Sequence, residues 1–186
     1  DKTEDELAAY VNIDQQVTDW MSLNAALRVD YHTQVGTEWV PQGGLAFHLP
    51  NEIELKAVVS KGFRNPTIRE MYMFPPQNPD LKPERTLNYE VAYKQTLLDG
   101  NLHVGANLFY ISGENLIMLL RENGKPLNTN IDEVENCGLE LSADYRLSSH
   151  WQLNANYSLL HMEYLVIAAP EHKAYLGAHT RYGSFS

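Results

Sequence analysis

Residues 60–72 are Ser60-Lys61-Gly62-Phe63-Arg64-Asn65-Pro66-Thr67-Ile68-Arg69-Glu70-Met71-Tyr72, and the segment continues to Glu84 through four further prolines. It interrupts an alternation of apolar and polar residues, so it is predicted to connect two β-strands. Asn65 is predicted to cap a short helix with Pro66 at its first position, and the later prolines keep the remainder extended. A connection of this length is more often functional than accidental.

Alternation flanks this loop on both sides. The apolar positions are Ile53, Leu55, Ala57 and Val59 before it and Leu87, Tyr89, Val91 and Tyr93 after it. Because successive side chains of a strand point to opposite faces, each segment is predicted to be a strand with one apolar and one polar face.

The same period continues through most of the chain. Further strands are predicted over residues 7–15, 21–31, 38–49, 102–110, 134–147, 151–159 and 172–182, with a hairpin extension at 116–121. Asp99-Gly100 is predicted to form a type I′ turn, which requires positive φ angles. Pro41, Gly43 and Gly44 are predicted to introduce a bulge or bend, because they weaken a strand's ladder.

Two regularities are typical of a membrane-spanning barrel. Tight turns, predicted near residues 17, 51, 99 and 149, alternate with longer loops, predicted near 35, 65–84, 112–130 and 165–169. Charges within most strands fall on one face, because a charge on the lipid face costs about 2 to 4 kcal/mol at mid-bilayer. The residues predicted to face the lumen are Lys56, Glu90, Lys94, Glu140, Asp144 and Arg146.

The long loop also resembles a segment of a known family. In TonB-dependent outer-membrane receptors the middle of the barrel carries S-K-G-F-R-x-P-T-x-R-E-x-Y followed by N-P-D-L-K-P-E, and residues 60–84 match this pattern. The resemblance continues in order through most of the chain, at Glu90, Leu98-Asp99-Gly100-Asn101, Ala106-Asn107-Leu108-Phe109-Tyr110, Glu135-Asn136-x-Gly138-Leu139-Glu140 and Leu153-Asn154-Ala155-Asn156-Tyr157-Ser158.

The resemblance implies an all-β fold of antiparallel up-and-down strands. Residues 1–186 would form one partial barrel domain, with about nine strands of an architecture that has about twenty-two in the family. The plug domain, with its TonB-contacting motif, and the closing strands would lie outside the sequence. The implied location is the cell outer membrane, and the implied partners are outer-membrane lipid, TonB and an imported ferric siderophore, with cobalamin as the next candidate.

Composition excludes several other classes. No apolar run approaches the 18 residues that a membrane helix requires. The net charge of -10 argues against a nucleic-acid partner, which selects a basic face. Cys137 is the single cysteine, so no disulfide forms within the chain. The seven histidines show no ligand spacing, and no catalytic motif appears, so no metal site, cofactor or enzyme activity is predicted.

The candidate ligand-binding residues all lie in the long loop. Arg64, Arg69, Tyr72 and Phe74 offer cationic and aromatic groups that could hold an anionic chelate, although the resemblance assigns the two arginines at least as readily to folding of the loop. Haem-transporting members of the family carry a histidine between the two matched segments. Residues 67–77 contain none, which argues against a haem ligand.

Two other functions stay open from the sequence. Alternation alone permits a secreted all-β binding module such as an adhesin sandwich, although strands near eleven residues and the turn asymmetry favour the barrel. A passive porin is the other alternative, and it differs in needing no energised inner membrane.

Overall fold

The computed structural model describes residues 5–73, 75–122, 124–162 and 170–180, apart from the side chains of Glu122 and Asp132. Within these residues the chain forms nine strands and one short helix. The strands are β1 (Glu6–Thr18), β2 (Met21–His32), β3 (Gly36–Leu49), β4 (Ile53–Arg64), β5 (Glu84–Leu97), β6 (Leu102–Glu122), β7 (Lys125–Arg146), β8 (Trp151–Met162) and β9 (His172–Thr180), and the helix is α1 (Ile68–Tyr72).

All of the described strands belong to one antiparallel sheet, in which each strand pairs with its neighbours in chain order. Strands β2, β3, β4, β5 and β8 have 12 to 14 residues, which is long for a soluble sheet and typical of tilted membrane-spanning strands. The predicted architecture, an antiparallel up-and-down barrel segment, is therefore confirmed.

The register separates two faces, because directly paired residues share a side of the sheet. On one side Leu141 is paired with Ala106 and with Tyr157, and its side chain is 42% exposed. On the other side Asn107 is paired with Ala92 and Glu140. Four of the charges predicted to face the lumen line one concave surface there: Lys56, Glu90, Lys94 and Glu140.

The connections differ from the predictions in two places, and in a third a prediction is confirmed. Only residues 33–35 separate β2 from β3, so the longer loop predicted there is wrong. The turn between β5 and β6 spans residues 98–101, with positive φ at Leu98, Asp99 and Gly100, so it is longer than the predicted two-residue type I′ turn. The hairpin extension predicted at 116–121 is confirmed, and it continues the main sheet, because β6 and β7 are paired from Leu102 to Glu122.

The bulge predicted at Pro41, Gly43 and Gly44 is wrong. The register between β2 and β3 runs without a shift from Met21↔Phe47 to His32↔Gly36. Instead, the ladder between β3 and β4 ends at Gln42↔Ser60, one residue short of Pro41. Proline has no amide hydrogen to donate, so the next rung of that ladder lacks a donor. The two strands part there, and a described register shift lies elsewhere, between Gln16 and Thr18.

The nine-stranded sheet, which we call the wall, has almost no buried hydrophobic core. Among the described residues, the buried hydrophobic side chains are Met71, Leu81 and Val134. Met71 and Leu81 belong to the long loop between β4 and β5, and Val134 lies on β7, paired with Gly113 of β6. Within the described residues, no helix is long and apolar enough to cross a membrane.

Candidate functional site

Helix α1 begins at a capping box. The Thr67 hydroxyl accepts a hydrogen bond from the Glu70 amide, and the Glu70 carboxylate accepts one from the Thr67 amide. The prediction that Asn65 caps the helix is therefore wrong, because the Thr67-x-x-Glu70 spacing satisfies two free amides reciprocally. Pro66 precedes the cap and is buried.

Arg64, at the end of β4, forms ion pairs with Glu70 in the long loop and with Glu84 at the start of β5. We call these three side chains the brace. The Arg64 guanidinium donates to Glu84 at 2.7 and 2.8 Å and to Glu70 at 3.0 and 3.1 Å. Burial raises the pKa of the Glu70 carboxyl, but the hydrogen bonds from Arg64 and Thr67 outweigh it and hold that pKa below its usual value. Glu84 also accepts a hydrogen bond from the Ile117 amide, which ties the brace to β6.

Two asparagines of β7 attach the loop to the β6–β7 hairpin. The Asn128 side chain donates to the Glu70 carbonyl, and Asn78 donates to the Asn128 carbonyl. The Asn130 side chain pairs with the Lys82 backbone in both directions, at 2.9 and 3.0 Å. We call residues 65–73, 75–83 and 115–122 together with 124–130 the outer-loop assembly, because these contacts join them into one structure.

A pocket of about 720 Å³ lies between this assembly and the wall. The loop contributes Asn65, Pro66, Thr67, Ile68 and Arg69, and the strands contribute Glu6, Arg28, His32, Val40, Gly62 and Phe63. Apolar side chains and a few polar groups that converge on a concave surface are typical of a ligand site. We call this space the loop pocket.

Charged groups on β2 support the wall of the loop pocket. Arg28 pairs with Asp30 at 2.5 Å, and Asp30 is 1% exposed. One Asp30 oxygen, Oδ2, has no hydrogen-bond partner among the described residues. Arg69 lies across the pocket on α1, is exposed, and has no ion-pair partner in the described part of the chain. The pocket therefore contains a cation that is available to an anionic ligand.

The predicted ligand-binding residues are not brought together. Arg69 lines the loop pocket, whereas Arg64 is engaged by two carboxylates in the brace. Tyr72, the last residue of α1, is half-buried and does not line the pocket. Phe74 lies outside the described residues. Ligand contact by these four residues stays a prediction.

Several residues of the site were missed from the sequence. The capping box had a signal in its spacing, Thr67-x-x-Glu70. Asn128 and Asn130 had no such signal in the sequence, because an asparagine in a predicted connection resembles any turn residue. Arg28 and His32 were given no role in the site, since nothing local shows that α1 folds over them. Within the described residues no group of histidine, cysteine or acidic side chains could hold a metal ion.

The family described as "TonB dependent receptor-like, beta-barrel" matches residues 1–186. Among curated proteins, the vitamin B12 transporter BtuB of Photobacterium profundum is 28% identical over 148 residues, which cover 76% of this chain and 24% of that protein. The ferric-pyoverdine BN7/BN8 receptor of Pseudomonas putida is 27% identical over 172 residues, covering 83% of this chain and 20% of that one. The chain thus spans a quarter or less of the length of these relatives.

Solved structures show the same fold. The siderophore receptor PirA of Pseudomonas aeruginosa superposes with a TM-score of 0.78 at 19% identity, over 86% of this chain and 32% of that one. The alcaligin receptor FauA of Bordetella pertussis gives a TM-score of 0.71 at 16% identity, over 97% and 35%. At such identities the likeness concerns the fold alone. These relatives are transport receptors and not enzymes.

Proposed function

We propose, from the premise that this chain belongs to the TonB-dependent receptor-like β-barrel family, that it forms part of a receptor that imports a scarce, large nutrient. The chain is a segment of an outer-membrane β-barrel. The further proposals are that residues 1–186 form one partial barrel domain, that energy for import reaches the receptor through TonB, and that the ligand is a ferric siderophore.

The observation that carries the ligand proposal is the loop pocket. It opens at the end of the wall that carries the long loop, which in an outer-membrane barrel is the outer end. Ferric chelates are commonly anionic, and the Arg69 guanidinium, which has no ion-pair partner among the described residues, lines the pocket beside Phe63 and Ile68. Arginine recognises anionic oxygen in a bidentate geometry. The pocket of about 720 Å³ lies within the usual range for a site of this kind.

Cobalamin is the second candidate, because a vitamin B12 transporter and a ferric-pyoverdine receptor match at nearly equal identity, 28% and 27%. The secreted module no longer needs to be proposed, since the family is an outer-membrane one. A passive porin has no support from the relatives, which are receptors and a transporter.

Growth rescue tests the proposal. The full-length gene would be expressed in a strain that lacks its own receptors, and growth would be measured on a panel of ferric siderophores and, separately, on cobalamin. We expect rescue by one ferric chelate only when the strain has TonB. Rescue without TonB would favour a porin, and rescue by cobalamin alone would overturn the siderophore assignment.

A matched pair of variants tests the pocket itself. Arg69→Gln removes an exposed cation from the loop pocket, and Lys125→Gln removes an exposed cation from the tip of the β6–β7 hairpin, outside the pocket. We expect ligand affinity to fall about tenfold in Arg69→Gln, as for loss of one charge-assisted hydrogen bond, and to stay unchanged in Lys125→Gln. Equal affinities would place the ligand elsewhere.

A further inference from the structure

Beyond Gln42↔Ser60 the strands β3 and β4 continue without a backbone ladder between them. The same register would pair residues 38–41 with residues 61–64, and the structure, which describes all of these residues, has no such rungs. Over this stretch β3 stays paired with β2, and β4 stays paired with β5. We call the gap between residues 38–41 and 61–64 the seam. Backbone hydrogen bonds therefore do not close the wall at the seam.

Glu38 reaches across the seam from one face of the wall to the other. Glu38 and Gln42 lie an even number of residues apart on β3, so both belong to the lumen side, on which Gln42 is paired with Ser60. Lys61 follows Ser60 and therefore lies on the outward side, and Arg85 shares that side, because its partner on β4 lies two residues beyond Lys61. A carboxylate of the lumen side meets two cations of the outward side here because the ladder is absent.

The Glu38 carboxylate joins the two sides of the seam. One oxygen accepts a hydrogen bond from the Lys61 ammonium at 3.1 Å, and the other accepts two from the Arg85 guanidinium, of which the bond from Nε is 3.0 Å long. The Glu38 side chain is 6% exposed, so these bonds form largely away from water. Charge-assisted hydrogen bonds are about twice as strong as neutral ones. The carboxylate thus takes the place of the absent rungs.

The loop pocket spans the seam. Val40 of β3 and Gly62 and Phe63 of β4 line this pocket. The register would pair Val40 with Gly62, so the absent rungs lie directly beside the pocket. Lys61, although it belongs to the outward side, also lines a space of about 560 Å³ together with Arg28 and Val40 of the lumen side. A change in the separation of β3 and β4 would therefore change the width of the loop pocket.

We propose that Glu38 is a positioning residue for the loop pocket: its bonds to the two cations hold β3 against β4 and so fix the distance between Val40 and Phe63. The proposal rests on the assignment of the loop pocket as the ligand site. Opening of the seam and binding of a ligand oppose each other, because a ligand that contacts both strands binds the closed seam more tightly. Pro41 makes the ion pairs necessary, since it has no amide hydrogen to donate where the ladder stops.

Amide hydrogen exchange of the full-length receptor in detergent tests the seam without a ligand. Glu38→Gln removes the negative charge and leaves the two cations, which are 26% and 42% exposed, to water. We expect the amides of residues 42–47 and 55–60, which form the remaining β3–β4 ladder, to exchange about tenfold faster, as for the loss of one charge-assisted hydrogen bond. Glu140→Gln is the matched control, because it removes a carboxylate from the lumen side of β7, whose ladders to β6 and β8 are continuous there.

A second substitution distinguishes positioning from a general loss of stability. Pro41→Val supplies the missing amide and a residue that favours strands. Exchange in Glu38→Gln/Pro41→Val should therefore return close to the native rate. If Glu38→Gln does not assemble, Lys61→Gln, which keeps the pair with Arg85, should show a smaller increase of a few-fold. Native exchange rates in the Glu38 and Lys61 variants would overturn the proposal, and so would a double variant that exchanges as fast as Glu38→Gln.

Growth on the panel of ferric siderophores and cobalamin tests the link to the ligand site. We expect Glu38→Gln to need a several-fold higher concentration of the nutrient that supports growth, and Glu38→Gln/Pro41→Val to need close to the native concentration. An unchanged concentration together with faster exchange would overturn the positioning role. If no member of the panel supports growth with the native receptor, the proposed import function fails, and hydrogen exchange alone then decides whether Glu38 closes the seam.

Discussion

The wall and the outer-loop assembly are stabilised in different ways. In the wall, Leu108 and Leu141 are exposed on the outward face, and the strands are held by their backbone ladders. In the outer-loop assembly, Met71 and Leu81 are buried, and side chains make most of the connections between segments. The wall is completed by lipid on one face, whereas the assembly carries its own small core.

This difference predicts which kind of substitution should destabilise each region. An outward wall position is sensitive to charge, because lipid cannot solvate it. A position in the assembly is sensitive to loss of a specific hydrogen bond, because backbone groups of an irregular loop have few other partners. Four predictions follow this division, from the largest effect to the smallest.

The largest effect is expected for charge on the lipid face. Leu141→Arg in the full-length receptor should cost about 2 to 4 kcal/mol and lower the yield of assembled barrel, which heat modifiability on a gel measures. Ser142→Arg is the matched control, because Ser142 follows Leu141 on β7 and therefore lies on the opposite, polar face, paired with Gly105 and Asn156. Equal yields would show that the two faces are assigned wrongly.

The second prediction concerns a site of tight packing within the wall. A methyl group added at Gly138 would lie 2.4 Å from the Phe109 ring and 2.8 Å from the Leu159 carbonyl oxygen. Gly138→Ala should therefore destabilise the receptor by roughly 1 to 3 kcal/mol. At Gly43 the nearest atom would be 4.0 Å away, in Val59, so Gly43→Ala should be close to neutral. Thermal unfolding of both variants measures the difference, and similar midpoints would contradict it.

In the outer-loop assembly, Asn130→Ala removes both bonds to Lys82 and the bond to the Asn115 carbonyl. The loop should lose about 1 to 2 kcal/mol of local stability, seen as faster amide hydrogen exchange in residues 75–83 with no change in β5. Thr129→Ala, one residue away, is the control, because its side chain makes no hydrogen bond among the described residues. Slower assembly of the whole barrel in Asn130→Ala would mean that the loop and wall are not separable.

The smallest effect is a pH dependence of the same loop. The pKa of Glu70 lies below its usual value in the folded loop. The ionised carboxylate therefore stabilises the loop fully above the unfolded pKa of about 4.3, and this stabilisation is lost as pH falls through the folded pKa. The exposed ion pair with Arg64 limits the effect to less than about 1 kcal/mol. Hydrogen exchange of residues 68–72 should accelerate below about pH 4 in the native receptor. The Glu70→Gln variant should lack this acceleration, and an equal pH response in both would assign it to another group.

Much of the wall could be predicted from the sequence. The hairpin from β5 to β6 was expected from alternation on both sides of Asp99-Gly100, and the ladder from Arg85↔Glu114 to Leu97↔Leu102 confirms it. The same alternation predicted that Lys56 and Glu140 face the lumen. The end of the β3–β4 ladder could not be predicted, because Pro41 fits a bulge, a bend and a parting of strands equally well.

The sequence by itself determined the number, direction and faces of the strands, because a period of two is a local property and a barrel wall uses it in every strand. Only the tertiary structure decided the sites. The loop pocket joins α1 to β2, and Glu38 on β3 meets Lys61 and Arg85 on two other strands. These groups are distant in the sequence and come together only through the register of the strands, so no local sequence pattern predicts them.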